Sequence, residues 1–195
     1  MSKRRQRILD AAEELLKHYG PLKTTIADIA RHAKVGVGTV YLEFSSKDAI
    51  LEILSGSRHG TILEMMEAAL DNTDKMPAER LGDFFKARTL GFLEHASQGL
   101  HGAELVHCAC PGVADAHSAF LKREEALLVE FLSLYSASGD FAPLDPHATT
   151  RALLRAYATF SPPWVFKCDR QSVEADLETL HGILTRGLLA RSKSA

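Results

Sequence analysis

The chain has 195 residues, 46% of them hydrophobic, and a net charge of -2. That balance excludes a disordered polypeptide, and no run approaches the roughly 18 uninterrupted apolar residues of a membrane span. Three cysteines, Cys108, Cys110 and Cys168, are too few and odd in number for a disulfide framework, which fits a reducing cytoplasm.

The charge is divided along the chain. Residues 1–50 hold nine Lys or Arg against six Asp or Glu, a net +3, and the remainder carries -5. A basic end on an acidic body points to one end that meets a polyanion. The basic start, Lys3-Arg4-Arg5-Gln6-Arg7, leads into an amphipathic stretch carrying Asp10, Glu13 and Glu14. A secretory signal would place an apolar segment there, so none is expected.

The first helix is predicted over Lys3 to Tyr19, with Ile8, Ala11, Ala12, Leu15, Leu16 and Tyr19 on one face. Gly20-Pro21 is a stop signal. Thr25 and Asp28 form a capping-box pattern that opens a very short second helix, whose buried face is Ile26, Ile29, Ala30 and Ala33. Lys34-Val35-Gly36 reads as a turn, and Gly36 as the cap of a third short helix with Val37, Val40 and Tyr41. Ser45 and Asp48 repeat the capping pattern before a fourth helix that reaches about Leu70.

Further on, a polar loop spans Asp71 to Pro77, followed by a helix from Ala78 to about Ala96. A short helix is expected from Gly99 to Ala109, stopping at Pro111-Gly112, and a long one from Ala114 to Ser136. Asp145-Pro146 is a start signal for a helix running to Phe160 and broken by Ser161-Pro162-Pro163. The last helix is expected from Ser172 to about Arg191. No segment alternates as a strand does, so the fold class is all-α.

Two helices of barely two turns, joined by a three-residue turn, would be marginal alone. Held by flanking helices, they form a helix-turn-helix, whose second helix enters the DNA major groove; spacing alone also allows two short helices of any bundle. The residue string is more specific. Ile8-Leu9-Asp10-Ala11-Ala12, Gly20, Thr24-Thr25-Ile26-Ala27-Asp28-Ile29-Ala30, Ala33, Val35, Gly38-Thr39-Val40-Tyr41, Phe44 and Ser46-Lys47-Asp48 resemble the TetR (tetracycline-repressor-like) family. The resemblance covers about a quarter of the chain. Lys34 stands where the family usually has Gly, and Gly36 where it often has Ser.

This resemblance implies a DNA-binding domain over 1–47 and a helical ligand-binding and dimerisation domain over 48–195, linked by the fourth helix. The implied DNA-binding residues are Thr24, Thr25, Lys34, Gly36, Val37, Gly38, Thr39, Tyr41 and Lys47. Thr25 would cap and touch phosphate, and Gly38 would allow close approach. Lys47, a cation in a first helical turn, opposes the helix dipole, which a phosphate would offset. The basic arm reads equally as a solvated tail or as a backbone or minor-groove contact.

In the larger domain, Met66, Phe85, Arg88, Phe92, His107, Phe120, Tyr157, Phe160 and Trp164 read as plain core or as the lining of an apolar pocket; the resemblance implies the pocket. Leu177, Leu180, Leu184 and Leu188 fit a core face or a dimer contact, and the resemblance implies the dimer. Glu104, His107, Cys108 and Cys110 match no standard zinc spacing. Small-residue packing is the default reading of the two cysteines, with metal binding and thiol redox sensing as alternatives, and no metal or other cofactor is expected. No nucleophile is paired with a base and an orienting group, so a helical enzyme using His107 or a cysteine is disfavoured. The functional expectation is a non-enzymatic, one-component cytoplasmic repressor. It would act as a homodimer on pseudo-palindromic double-stranded operator DNA, released by an apolar or aromatic small molecule, without a membrane partner. A module whose helix-turn-helix no longer reads DNA is the alternative, and the intact Gly38-Thr39-Val40-Tyr41 and Lys47 argue against it.

Overall fold

A computed structural model of the chain describes residues 2–142 and 145–188. Among these, every regular element is an α-helix or a short 3-10 turn. The α-helices are α1 (Lys3–Lys23), α2 (Ile26–His32), α3 (Val37–Glu43), α4 (Lys47–Asp71), α5 (Pro77–Ser97), α6 (Pro111–Ser138), α7 (Pro146–Ala156) and α8 (Arg170–Leu188). Among the described residues no helix is long and apolar enough to cross a membrane.

The chain divides into two compact units. One comprises the residues up to Gly60 together with Phe92–Phe120, and the other comprises Thr61–Gly91 together with the described residues from Leu121 onward. Helices α4, α5 and α6 each contribute to both.

The first unit has a continuous core. Ile8, Ala12 and Leu16 of α1, Ile29 of α2, Val40 of α3 and Ile50 and Leu51 of α4 are all completely or almost completely shielded from solvent. This burial is what holds α2 and α3, each of 7 residues, since a helix of that length has too few hydrogen bonds to offset its nucleation cost. Gly20, at φ 81, breaks the regular dihedrals of α1 as its glycine suggests, and Pro21–Lys23 add one more turn. A Cβ at Gly20 would meet the His101 ring.

Two expectations for this unit are corrected. Residues 99–109 form turns and a 3-10 segment, Ala103–Leu105, rather than an α-helix. Pro111 does not stop a helix but opens α6. Proline lacks the N–H that a first helical position leaves unpaired, so the same residue serves either end.

In the second unit Leu81, Phe84 and Phe85 of α5, Leu128, Phe131 and Leu132 of α6, Leu153 of α7 and Val173 and Leu177 of α8 are all buried. Phe85 stacks on Tyr157 with centroids 3.6 Å apart and planes 4° from parallel. The Tyr157 hydroxyl donates to His181 Nδ1 at 2.9 Å, and His181 Nε2 donates to the Ala78 carbonyl at 2.8 Å. The ring therefore ties α5 and α8 to the end of α7. Helix α7 stops at Ala156, four residues before the expected Phe160, which lies in a separate 3-10 turn. The start of α8 at Arg170 precedes the expected Ser172, and its expected end at Arg191 lies outside the described residues.

Candidate nucleic-acid interface

The interface is built from the turn outward. Thr25 is the N-cap of α2: its hydroxyl oxygen accepts from the Asp28 N–H at 3.2 Å, and its own N–H donates to Asp28 Oδ2 at 3.1 Å, a complete capping box. The Thr25 hydroxyl also donates to that carboxylate at 2.5 Å. These bonds, the hydroxyl first, hold the Asp28 carboxyl below its ordinary value.

The turn itself is a Schellman motif. The Val35 N–H reaches the Ala30 carbonyl at 3.0 Å and the Lys34 N–H reaches the Arg31 carbonyl at 3.2 Å. The position between them must adopt a left-handed conformation, and here Lys34 does so at φ 54. That backbone requirement explains why glycine is the usual residue at this position: glycine meets it without cost, and lysine does not.

Gly36 follows as the N-cap of α3, its carbonyl accepting from Thr39 and Val40. Only Val40 of α3 is buried. Val37 is 43% and Tyr41 55% exposed, Gly36 and Gly38 are exposed, and Thr39 is half-buried. A Cβ at Gly38 would meet nothing within 4 Å. The protein's own packing therefore gives no reason for a glycine in this helix, where it costs about 0.5–1 kcal/mol relative to alanine.

Two candidates have internal partners. Thr24 is 2% exposed and its hydroxyl donates to the Gly20 carbonyl at 2.8 Å, so it closes the end of α1. The Lys47 ammonium donates to the carbonyls of Pro21 at 2.7 Å and Thr24 at 3.1 Å. The cation that opposes its own helix dipole is thus offset by carbonyls at the end of another helix. Arg4 and Arg5 are similarly tied: Arg4 pairs with the Glu43 carboxylate, while Arg5 donates to the Glu43 carbonyl and lies over Phe44. The basic start is part of α1 and braces the end of α3. Sequence reasoning missed these braces because their partners lie 23 to 39 residues away.

The ligand candidates fall in both units. Phe92, His107 and Phe120 belong to the first, where Phe92 and Phe120 are buried. Met66, Phe85, Arg88, Tyr157, Phe160 and Trp164 belong to the second. There Met66, Phe85 and Tyr157 are shut from solvent, and Trp164 is 58% exposed. Arg88 ion-pairs with Glu124 and donates to the Ser161 hydroxyl at 2.8 Å. Glu124 was not foreseen; the only sequence signal was a carboxylate within the apolar pattern of α6. Of the dimer candidates, Leu177 is 4% exposed in the single chain, Leu180 and Leu184 are half-buried, and the Leu188 side chain lies outside the described residues.

These features define an all-helical protein that opens with a helix-turn-helix and presents its second short helix outward. Residues 8–54 match the family described as bacterial regulatory proteins, tetR family. The chain is 40% identical over 68 residues to the HTH-type transcriptional regulator YvkB of Bacillus subtilis, covering 33% of this chain and 36% of that one. The first three curated relatives are matched over only 22% to 36% of their length. YhgD of Bacillus subtilis, also an HTH-type transcriptional regulator, is 25% identical over 93% of this chain and 92% of its own. Among solved structures, a TetR-family transcriptional regulator from Syntrophomonas wolfei shares the fold with a TM-score of 0.73 and 20% identity, over 97% of this chain and 98% of that one. The helix-turn-helix segment of residues 8–54 is thus that of the TetR family.

Proposed function

We propose that the protein is a one-component, non-enzymatic transcriptional repressor of the cytoplasm. In this reading a homodimer places two copies of α3 in successive major grooves of a pseudo-palindromic operator, and a small apolar or aromatic molecule in the domain that follows residue 47 releases it. The observation that carries the reading is the outward face of α3. Gly36, Val37, Gly38 and Tyr41 are exposed on a helix whose other side is anchored by Val40, and Gly38 has open space where a side chain would be. A helix that gives up stability for a bare backbone facing outward suits close approach to a partner surface. The net +3 of residues 1–50 matches that partner to a polyanion. Two-fold symmetry of the protein would be mirrored in the half-sites.

For effector binding, Phe85 is stacked on Tyr157, Tyr157 lies against Phe160, and Arg88 is tied to Glu124 and Ser161. An entering molecule would therefore displace packed side chains, which is a way to move the helices that carry them. The test is selection of bound sequences from a random DNA pool by the full chain at low salt, with sedimentation to count subunits. An enriched palindrome bound by a dimer is the expected result. No enrichment above background would overturn the reading.

A further inference from the structure

Cys108 and Cys110 flank the entry to α6 inside the first unit. Cys110 is the residue whose carbonyl accepts the first bonds of the helix, from Val113 at 3.1 Å and Ala114 at 3.0 Å. Its own N–H donates to Cys108 Sγ at 3.3 Å. Both line a cavity of about 520 Å³ together with Glu104 and with Lys47 and Asp48 of α4. No acidic residue occupies the first turn of α6, so its positive dipole end stands uncompensated beside the sulfurs. Neither thiol is fully buried, which leaves a path for a small ion.

We propose that Cys108 and Cys110 form a two-thiolate site for a soft monovalent metal cation, Cu(I), and that its occupancy weakens DNA binding. Paired thiolates select soft ions. Among the described residues no group of three His, Cys, Asp or Glu is placed to hold a metal, which disfavours the four-ligand closed site of structural zinc and suits an ion content with two sulfurs. Binding breaks two S–H bonds, forms two S–Cu bonds and releases two protons to solvent, with no electron transferred. The pair passes from neutral to a complex of charge -1, in a cavity lined by Lys47 and by the Glu104 and Asp48 carboxylates.

The site is coupled to the helix-turn-helix by contact. The backbone at Gly112 lies so close to α4 that a Cβ there would collide with the Asp48 carbonyl and meet the Glu52 N–H at 2.9 Å. Drawing two sulfurs around an ion shifts residues 108–112, and that shift has no slack before it reaches α4. The anionic complex also competes for Lys47, which otherwise holds the Pro21 and Thr24 carbonyls next to the α2 cap.

The coupling rests on the proposed DNA binding; the metal site does not. The full-length reduced protein is titrated anaerobically with Cu(I) against a chromophoric Cu(I) chelator. One equivalent should be withdrawn from the chelator, with two sulfur ligands seen by X-ray absorption. Cys108→Ser and Cys110→Ser should each weaken binding by more than the roughly 10–100-fold typical of an outer-shell change, with unchanged far-UV circular dichroism, while Cys168→Ser binds as the wild type does. Retention of all copper by the chelator, or equal binding by a folded Cys108→Ser/Cys110→Ser double variant, would overturn the site. In the second arm, operator affinity should fall about 5- to 150-fold on loading and not in Cys110→Ser. Unchanged operator affinity in loaded protein overturns the coupling alone, and a protein that selects no DNA in either state overturns the repressor reading instead.

Discussion

Glu124 of α6 holds its carboxylate against the Arg88 guanidinium of α5 with side-chain exposures of 0% and 5%. Burial raises the Glu124 carboxyl above its ordinary range while Arg88 pulls it down, and burial has the larger effect. Removing one partner strands the other charge in a medium that cannot solvate it. Glu124→Ala should therefore cost about 3–5 kcal/mol, whereas Arg88→Met with Glu124→Leu should be near neutral or stabilising. Urea unfolding of the two variants checks this, and a double variant as unstable as the single one would contradict it.

Lys34 at φ 54 occupies backbone space that favours glycine. Lys34→Gly should raise stability by about 1 kcal/mol, the left-handed penalty of a side chain carrying a Cβ. Lys34→Ala keeps the Cβ and should gain little, separating the backbone effect from the loss of charge. Midpoints of chemical denaturation for the two variants decide it.

Gly38 makes the opposite trade. Gly38→Ala fills open space, so folding should become more favourable by about 0.5–1 kcal/mol. Operator affinity should fall about tenfold or more, roughly 1.4 kcal/mol, because the added methyl stands where the DNA surface approaches. A variant that is both more stable and equally tight on DNA would show that α3 does not make the close contact.

His59 gives the protein an acid limit. Burial foremost, with the neighbouring His95 and His107 as like charges, lowers its pKa from 6.5 to about 4. Between those values the unfolded chain binds a proton that the folded protein does not. The contribution of His59 is complete above about pH 6.5 and is lost as pH falls toward 4, in total roughly 3 kcal/mol. His59→Leu should flatten the slope of stability against pH in that window. An unchanged slope would assign the acid sensitivity to other groups.

The legible part of this protein was local. Thr25 and Asp28 are three residues apart, so their reciprocal bonds need only one turn of helix to form. The apolar positions of α1 repeat at the helical period and are buried as a set at Ile8, Ala12 and Leu16. The string from Ile8 to Leu54 carries the family resemblance on its own, since its residues are spent on caps, turns and a bare outward face that short-range geometry demands. What needed the tertiary structure was every role set by a distant partner. Pro111 could end one helix or begin another, and its neighbour Gly112, fitted against Asp48, lies at the start of α6. Lys47 could face phosphate, yet the carbonyls of Pro21 and Thr24 already hold it. Glu124 looked like any helical carboxylate until Arg88, 36 positions earlier in the chain, was found beside it. Periodicity and capping are encoded within one or two turns of chain, whereas the partner of a buried charge is chosen by packing between segments that sequence spacing does not relate.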